Sequence, residues 1–225
     1  MRLDLDRALT TEIWEPKWIV EGIIPASTLI MIAGDAGVGK SVMNLTEAFH
    51  VALGLPFFGH PTVQQRVLYF DEENSFPDIN AYLQQIWIGL GQPDKAVLKE
   101  NLFIEHFSLG TPHWPELMRG VVQQCQPGIV YIDTATSALD VDDENSNSEA
   151  QKICQHLRHI VRDVDTHPTF KILKHAKYQS GGGQKGKVRR TIRGAKAWKG
   201  AVDQAQFHIR AQGAPHKGGL HTTIL

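Results

Sequence analysis

No run of about eighteen consecutive apolar residues occurs in this 225-residue chain, so a membrane-spanning helix is not expected. The opening residues MRLDLDRALTTEIWEP lack the apolar stretch of a secretory leader. A soluble, cytoplasmic protein with no membrane partner is therefore the expectation. Cysteine is nearly missing. Cys125 and Cys154 are the only two; both fall in segments that read as helices, and neither belongs to a metal-ligand spacing. A disulfide framework and a cysteine-held metal are thereby excluded, and both residues read as reduced packing groups. Charge of either sign is not in excess: the formal net charge of −1 gives no overall attraction to nucleic acid. Internal repeats are absent too. What remains is a chain with 42% hydrophobic residues, enough for one domain with a full-sized core.

The most informative stretch is Thr28 to Ser41, TLIMIAGDAGVGKS. A short apolar run, Leu29 to Ala33, leads into Gly34, Asp35, Ala36, Gly37, Val38, Gly39, Lys40 and Ser41, the pattern G-x-x-x-x-G-K-[ST] of a phosphate-binding loop. Its glycines let the backbone turn tightly, so successive N–H groups converge on phosphate oxygens. From Lys40 to Leu53, apolar residues at Val42, Leu45, Ala48, Phe49 and Ala52 mark one helix face. The loop, ending with Val42 in the first turn, thus lies between a buried strand and a helix N-terminus that favours anions. ATP is the expected ligand, with Lys40 reaching its β- and γ-phosphates and Ser41 ligating Mg²⁺.

The rest of the chain alternates strand and helix patterns. Residues 1–18 read as an irregular arm carrying Trp14 and Trp18, and Gly54-Leu55-Pro56 stops the first helix. Strands are expected over Arg66–Asp71, Asn101–Phe107, Ile129–Asp133 and Phe170–Leu173. Helices are expected over Pro77–Leu90, His113–Cys125 and Glu149–Val164. This order argues for an α/β fold with a mainly parallel sheet covered on both faces. Gln206–Arg210 and His221–Leu225 read as a closing antiparallel hairpin. The expected division is one domain: arm 1–18, core 19–210, hairpin strand 211–225.

Asp133 ends an apolar strand about ninety residues after the phosphate loop, the position that holds Mg²⁺ through water in P-loop proteins. The residue after it is Thr134, so a water-orienting glutamate is not in its commonest place. The pair Glu72-Glu73, at the end of the Arg66–Asp71 strand, is the other source of such a base, with Glu73 favoured over Glu72. If that strand neighbours the first, its end opens into the same crevice.

At this point the sequence resembles RecA-like ATPases, in particular the branch with plasmid RepA-type hexameric helicases and related AAA-family ATPases of mobile elements. The motifs that carry the resemblance are Gly34–Ser41, Val67-Leu68-Tyr69 with Glu73-Asn74, Val130–Asp133, Leu173–His175 and Arg193-Gly194-Ala195. It covers about Trp18 to Ile209. It implies a RecA-like P-loop fold, Glu73 as catalytic glutamate, His175 as a γ-phosphate sensor, and assembly into a ring, expected to be a hexamer. Arg193 would act as an arginine finger across a subunit boundary, with Lys196 and Lys199 the next choices. The chain departs from the pattern in having Lys174-His175-Ala176-Lys177, not two histidines, and Ala195-Lys196 where hydroxyls are usual. No appended DNA-binding or primase domain is apparent.

Between Lys171 and Lys199 stand ten lysines and arginines and no acid. The Gly-rich residues Gln179 to Lys187 interrupt the stretch and read as a mobile loop. Clustered charge of this kind attracts phosphate backbones. Lys185, Lys187, Arg189 and Arg190 are the candidate contacts to single-stranded DNA. The loop after Asp133, with Asp140, Asp142, Asp143 and Glu144, would repel phosphates instead. Three functions stay open: a DNA-acting helicase or replication motor, a recombinase or repair accessory, and a KaiC-like regulatory ATPase that never binds DNA. A small-molecule kinase lacks support because no arginine-rich lid is found, and an ABC transporter is excluded by the missing LSGGQ signature.

Overall fold

The computed structural model describes residues 5–10, 17–105, 113–134, 147–179, 189–192, 197–210 and 220–223. Leu5–Thr10 is a helix, α1, which corrects the expectation of an irregular arm there; Trp14 lies outside the described residues. Trp18–Val20 (β1) and Ile24–Pro25 (β2) pair antiparallel. Leu29–Gly34 (β3), buried throughout, then runs through the glycine loop into Lys40–Leu53 (α2). Gly54 ends α2 at φ 67°, where a side chain would be strained and would crowd Gln64.

Val67–Asp71 (β4) leads to Phe76–Gly89 (α3), Lys95–Asn101 (α4) and Leu102–Glu105 (β5). Trp114–Cys125 (α5), Ile129–Asp133 (β6), Asn147–Asp163 (α6) and Thr169–Gln179 (β7) follow. Arg189–Ile192 (β8), Ala197–Ala201 (α7), Gln204–Arg210 (β9) and Leu220–Thr223 (β10) complete the described chain. Eight strands form one sheet in the order β10-β9-β3-β7-β6-β4-β5, with β8 on β7. From β9 to β5 every neighbour is parallel; β10 and β8 are antiparallel additions. The apolar runs of β3, β4 and β6 have no polar alternation because helices cover both faces.

Side-chain alternation sorts the interior into two cores. On one face Met31, Phe70, Ile132 and Ile172 pack against α5 and α6 through Met118, Val122, Leu157 and Ile160. On the other, Ile30, Tyr69 and Tyr131 pack against α2 and α3 through Leu45, Ala48, Phe49 and Ile79. Cys125 and Cys154 are free thiols on α5 and α6.

Three sequence expectations are corrected. The β4 strand does not neighbour β3: β6 and β7 lie between them. Asn101 ends α4, a helix the pattern missed, so β5 begins at Leu102. β7 does not stop near His175; it continues to Gln179 because β8 pairs with Ala176–Gln179 and supplies the missing ladder partners. Arg189 and Arg190 lie on β8. The terminal hairpin is present, and its first strand also lies parallel to β3, so it widens the main sheet as well as closing it.

Candidate active site

The phosphate loop owes its shape to two left-handed glycines. Gly37 (φ 69°) turns the chain, and Gly39 (φ 85°) is the N-cap of α2. Gly39 has no side chain to cap the helix, so the first-turn N–H groups of Lys40, Ser41 and Val42 are not taken up by an N-cap residue. A phosphate is the natural acceptor for such groups. Lys40 is buried, and its Nζ donates to the Gly34 carbonyl at 3.2 Å and the Asp35 carbonyl at 2.9 Å. Burial pulls its pKa down, while the charges of Glu73, Asp133 and Asp35 push it back.

Asp133 sits at the end of β6 with no exposed surface. Its Oδ2 accepts a hydrogen bond from Tyr69 Oη at 2.8 Å. Its Oδ1 is equally buried and has no hydrogen-bond partner among the described residues. Burial raises the Asp133 pKa to about 7, hydrogen bonding from Ser41 and Tyr69 opposes the rise, and the charges of Asp71 and Glu73 add to it. A carboxylate oxygen left over in a dry acidic site, beside a hydroxyl, is what a divalent cation compensates. Ser41 and Asp133 therefore fit Mg²⁺, and they are the residues that would hold it. Burial and the Asp133 charge also raise the Tyr69 pKa well above the phenol range, which keeps the hydroxyl a donor.

Glu73 lies in the turn after β4. Its Oε1 is 3.6 Å from His175 Nε2 on β7, and both side chains are partly exposed, at 40% and 27%. Of the acidic pair, Glu73 is the one whose charge is felt by both Lys40 and Asp133. The crevice thus gathers Gly34 to Ser41, Asp133, Glu73 and His175 at one end of the sheet. Two strands separate β4 from β3, but their parallel direction brings all the carboxyl ends to the same side. Lys185, Lys187 and Arg193 lie outside the described residues, and for Arg189 and Arg190 only the β8 backbone is described.

The sequence reading missed three groups here. Tyr69 holds Asp133, Asp71 holds the Glu73 turn, and Tyr131 Oη donates to Glu47 Oε1 on α2 at 2.8 Å. A signal for them existed: Tyr69-Phe70-Asp71 and Tyr131-Ile132-Asp133 are twin Tyr-x-Asp sequences, and the strands align Tyr69 with Tyr131 and Asp71 with Asp133. Period-two alternation puts all four on the face that α2 covers. The basic stretch is also smaller than it reads. Lys171 is fully buried, donating to both Glu47 oxygens at 2.6 and 2.9 Å, and Lys174 is buried with its Nζ 4.6 Å from the Trp198 ring centroid.

A parallel sheet flanked by helices, with a glycine loop at one strand end and an acid at another, is the architecture of a RecA-like P-loop fold. A family model described as an AAA domain matches residues 1–178, most of the chain, and the chain belongs to that family. Among solved structures, a KaiC-like protein, PH0186 from the hyperthermophilic archaeon Pyrococcus horikoshii OT3, is similar at 14% identity and a TM-score of 0.51. The match covers 84% of this chain and 74% of that one. At this identity the likeness concerns the fold alone. A comparison with curated protein sequences gives no match. No helix among the described residues is long and apolar enough to cross a membrane.

Proposed function

We propose that this chain hydrolyses ATP with Mg²⁺ and uses the cycle to act on single-stranded DNA as a ring-forming, RepA-like motor. The observation that supports the hydrolytic part is the placing of Glu73 3.6 Å from His175, the β7 partner of Gly34 at the start of the phosphate loop, with Asp133 ending the strand beside β4. The α2 N–H groups and Lys40 would hold the β- and γ-phosphates, and Ser41 and Asp133 would hold the cation. When bound, Mg²⁺ supplies charge neutralisation on the β- and γ-oxygens. Glu73 would accept a hydrogen bond from the attacking water and orient it in line with the γ-phosphorus. His175, beside Glu73, would contact the γ-phosphate and report its loss along β7. Arg193 from a neighbouring copy would stabilise the charge that develops at transfer.

The DNA-acting part rests on the basic residues that follow β7, namely Lys185, Lys187, Arg189 and Arg190. Its test is phosphate release measured with and without a single-stranded oligonucleotide, at low and high salt. Stimulation that fades with salt is expected; turnover indifferent to oligonucleotide contradicts the DNA role. The burial of Lys171 and Lys174 favours a second reading, a regulatory ATPase that does not bind DNA, because it removes two cations from the stretch. Mass photometry with an ATP analogue and Mg²⁺ tests assembly: a hexamer supports the ring, open polymers a recombinase-like filament, and a persistent monomer the switch.

A further inference from the structure

We propose that Asp71 is a positioning residue that fixes the backbone from which Glu73 reaches the crevice. Resting on the reading of Glu73 as the water-orienting group, this assigns a task to a carboxylate outside the residues proposed to hold nucleotide and cation. Asp71 ends β4 and has no exposed surface. A buried carboxylate is tolerated only when its lone pairs are satisfied, and here four donor contacts satisfy it. Its Oδ1 accepts from the Glu73 backbone N–H at 3.1 Å, the Asn74 backbone N–H at 3.0 Å and Asn74 Nδ2 at 3.0 Å. Its Oδ2 accepts from Asn74 Nδ2 at 2.9 Å.

The preceding N–H, that of Glu72, donates to the Asp133 carbonyl at 2.8 Å. Three consecutive backbone donors, Glu72, Glu73 and Asn74, are therefore tied to the tips of β4 and β6. Immediately after them Ser75 caps α3, accepting from the Asp78 N–H. The turn that bears Glu73 is pinned on both sides, so only side-chain rotation remains to carry its carboxylate about the crevice. A carboxylate that must line up water needs such restraint, because misplacement by about 1 Å can cost about a hundredfold in rate. Both oxygens of Asp71 are engaged by these donors, whereas Asp133 keeps Oδ1 without a hydrogen-bond partner among the described residues.

The test uses the full chain and measures steady-state ATP turnover with Mg²⁺, binding of a fluorescent ATP analogue, and thermal unfolding. Asp71→Ala should lower kcat by about 30- to 100-fold, with KM and analogue affinity within about twofold of wild type. Asn74→Ala leaves the Asp71 charge in place, removes only the side-chain contacts, and should lower kcat by about 3- to 10-fold. Placed in a Glu73→Gln background, Asp71→Ala should cause no further loss, since both act through one group. The inference is overturned if Glu73→Gln is slow while Asn74→Ala and Asp71→Ala turn over at the wild-type rate, or if the double variant loses the product of the two effects. Should Asp71→Ala not fold, Asn74→Ala decides by itself, an unchanged kcat counting against the role. If Glu73→Gln is as fast as wild type, the catalytic reading of Glu73 fails first, and this assignment falls with it.

Discussion

Replacing Lys171 with methionine keeps an unbranched chain of similar length in the strand and deletes one charge from the most deeply buried ion pair described in the protein. Lys171 and Glu47 are 0% and 1% exposed, and their atoms meet at 2.6 Å, so solvent screens them little. In the variant, Glu47 keeps only the Tyr131 hydroxyl at 2.8 Å. Breaking such a pair from one side costs about 3–5 kcal/mol, because the remaining charge is stranded. The expected loss is therefore about 3–5 kcal/mol, a large part of a typical stability of about 5–15. Urea unfolding followed by circular dichroism at pH 7 measures it. Glu47→Leu together with Lys171→Met should recover most of the loss, since an apolar pair strands nothing but the Tyr131 hydroxyl. A loss below about 1 kcal/mol in Lys171→Met would refute the reasoning, because the pair would then not be shielded as its burial implies.

Other outcomes follow from the site. Asp133 has a folded-state pKa of about 7, above its ordinary value, so the folded chain holds that proton more tightly and this contribution to stability is lost as pH rises towards 7. Without nucleotide or Mg²⁺, Asp133→Asn should therefore gain Tm relative to wild type at pH 8 and gain distinctly less at pH 5; an equal difference at both values contradicts the assignment. Arg193→Ala should bind an ATP analogue normally and lose turnover by about a thousandfold or more, whereas wild-type turnover excludes an arginine finger there. Tyr69→Phe leaves Asp133 Oδ2 without its 2.8 Å donor, and a weaker half-saturation by Mg²⁺ with unchanged nucleotide affinity is expected in a turnover titration; an unchanged Mg²⁺ response counts against the contact.

Local patterns explain why some of this was legible in the sequence. Lys40–Leu53 and Ile129–Asp133 were readable to the residue, because one carries a helical apolar stripe after a glycine loop and the other an uninterrupted apolar run. The Lys95–Asn101 helix was missed: seven residues are too few to establish a period, and its start rests on Asp94 accepting from the Ala96 N–H. The far half of β7 is polar, and what holds it extended is β8, reached across a glycine-rich segment. Lys171 looked like surface charge because its partner Glu47 stands 124 residues earlier. Asp71 reads as a strand end, and its bonds to the N–H groups two and three residues on are the local side-chain-to-backbone kind that an aspartate before a polar turn makes.

Hydrolysis by this site requires Glu73 to act on water beside a nucleotide held by the phosphate loop. Single-turnover hydrolysis of radiolabelled ATP by Glu73→Gln, with analogue affinity measured on the same sample, tests that directly. Unchanged affinity with hydrolysis slowed by about a hundredfold or more is the predicted result. Hydrolysis at the wild-type rate would contradict it, and the carboxylates at the strand tips would need another purpose.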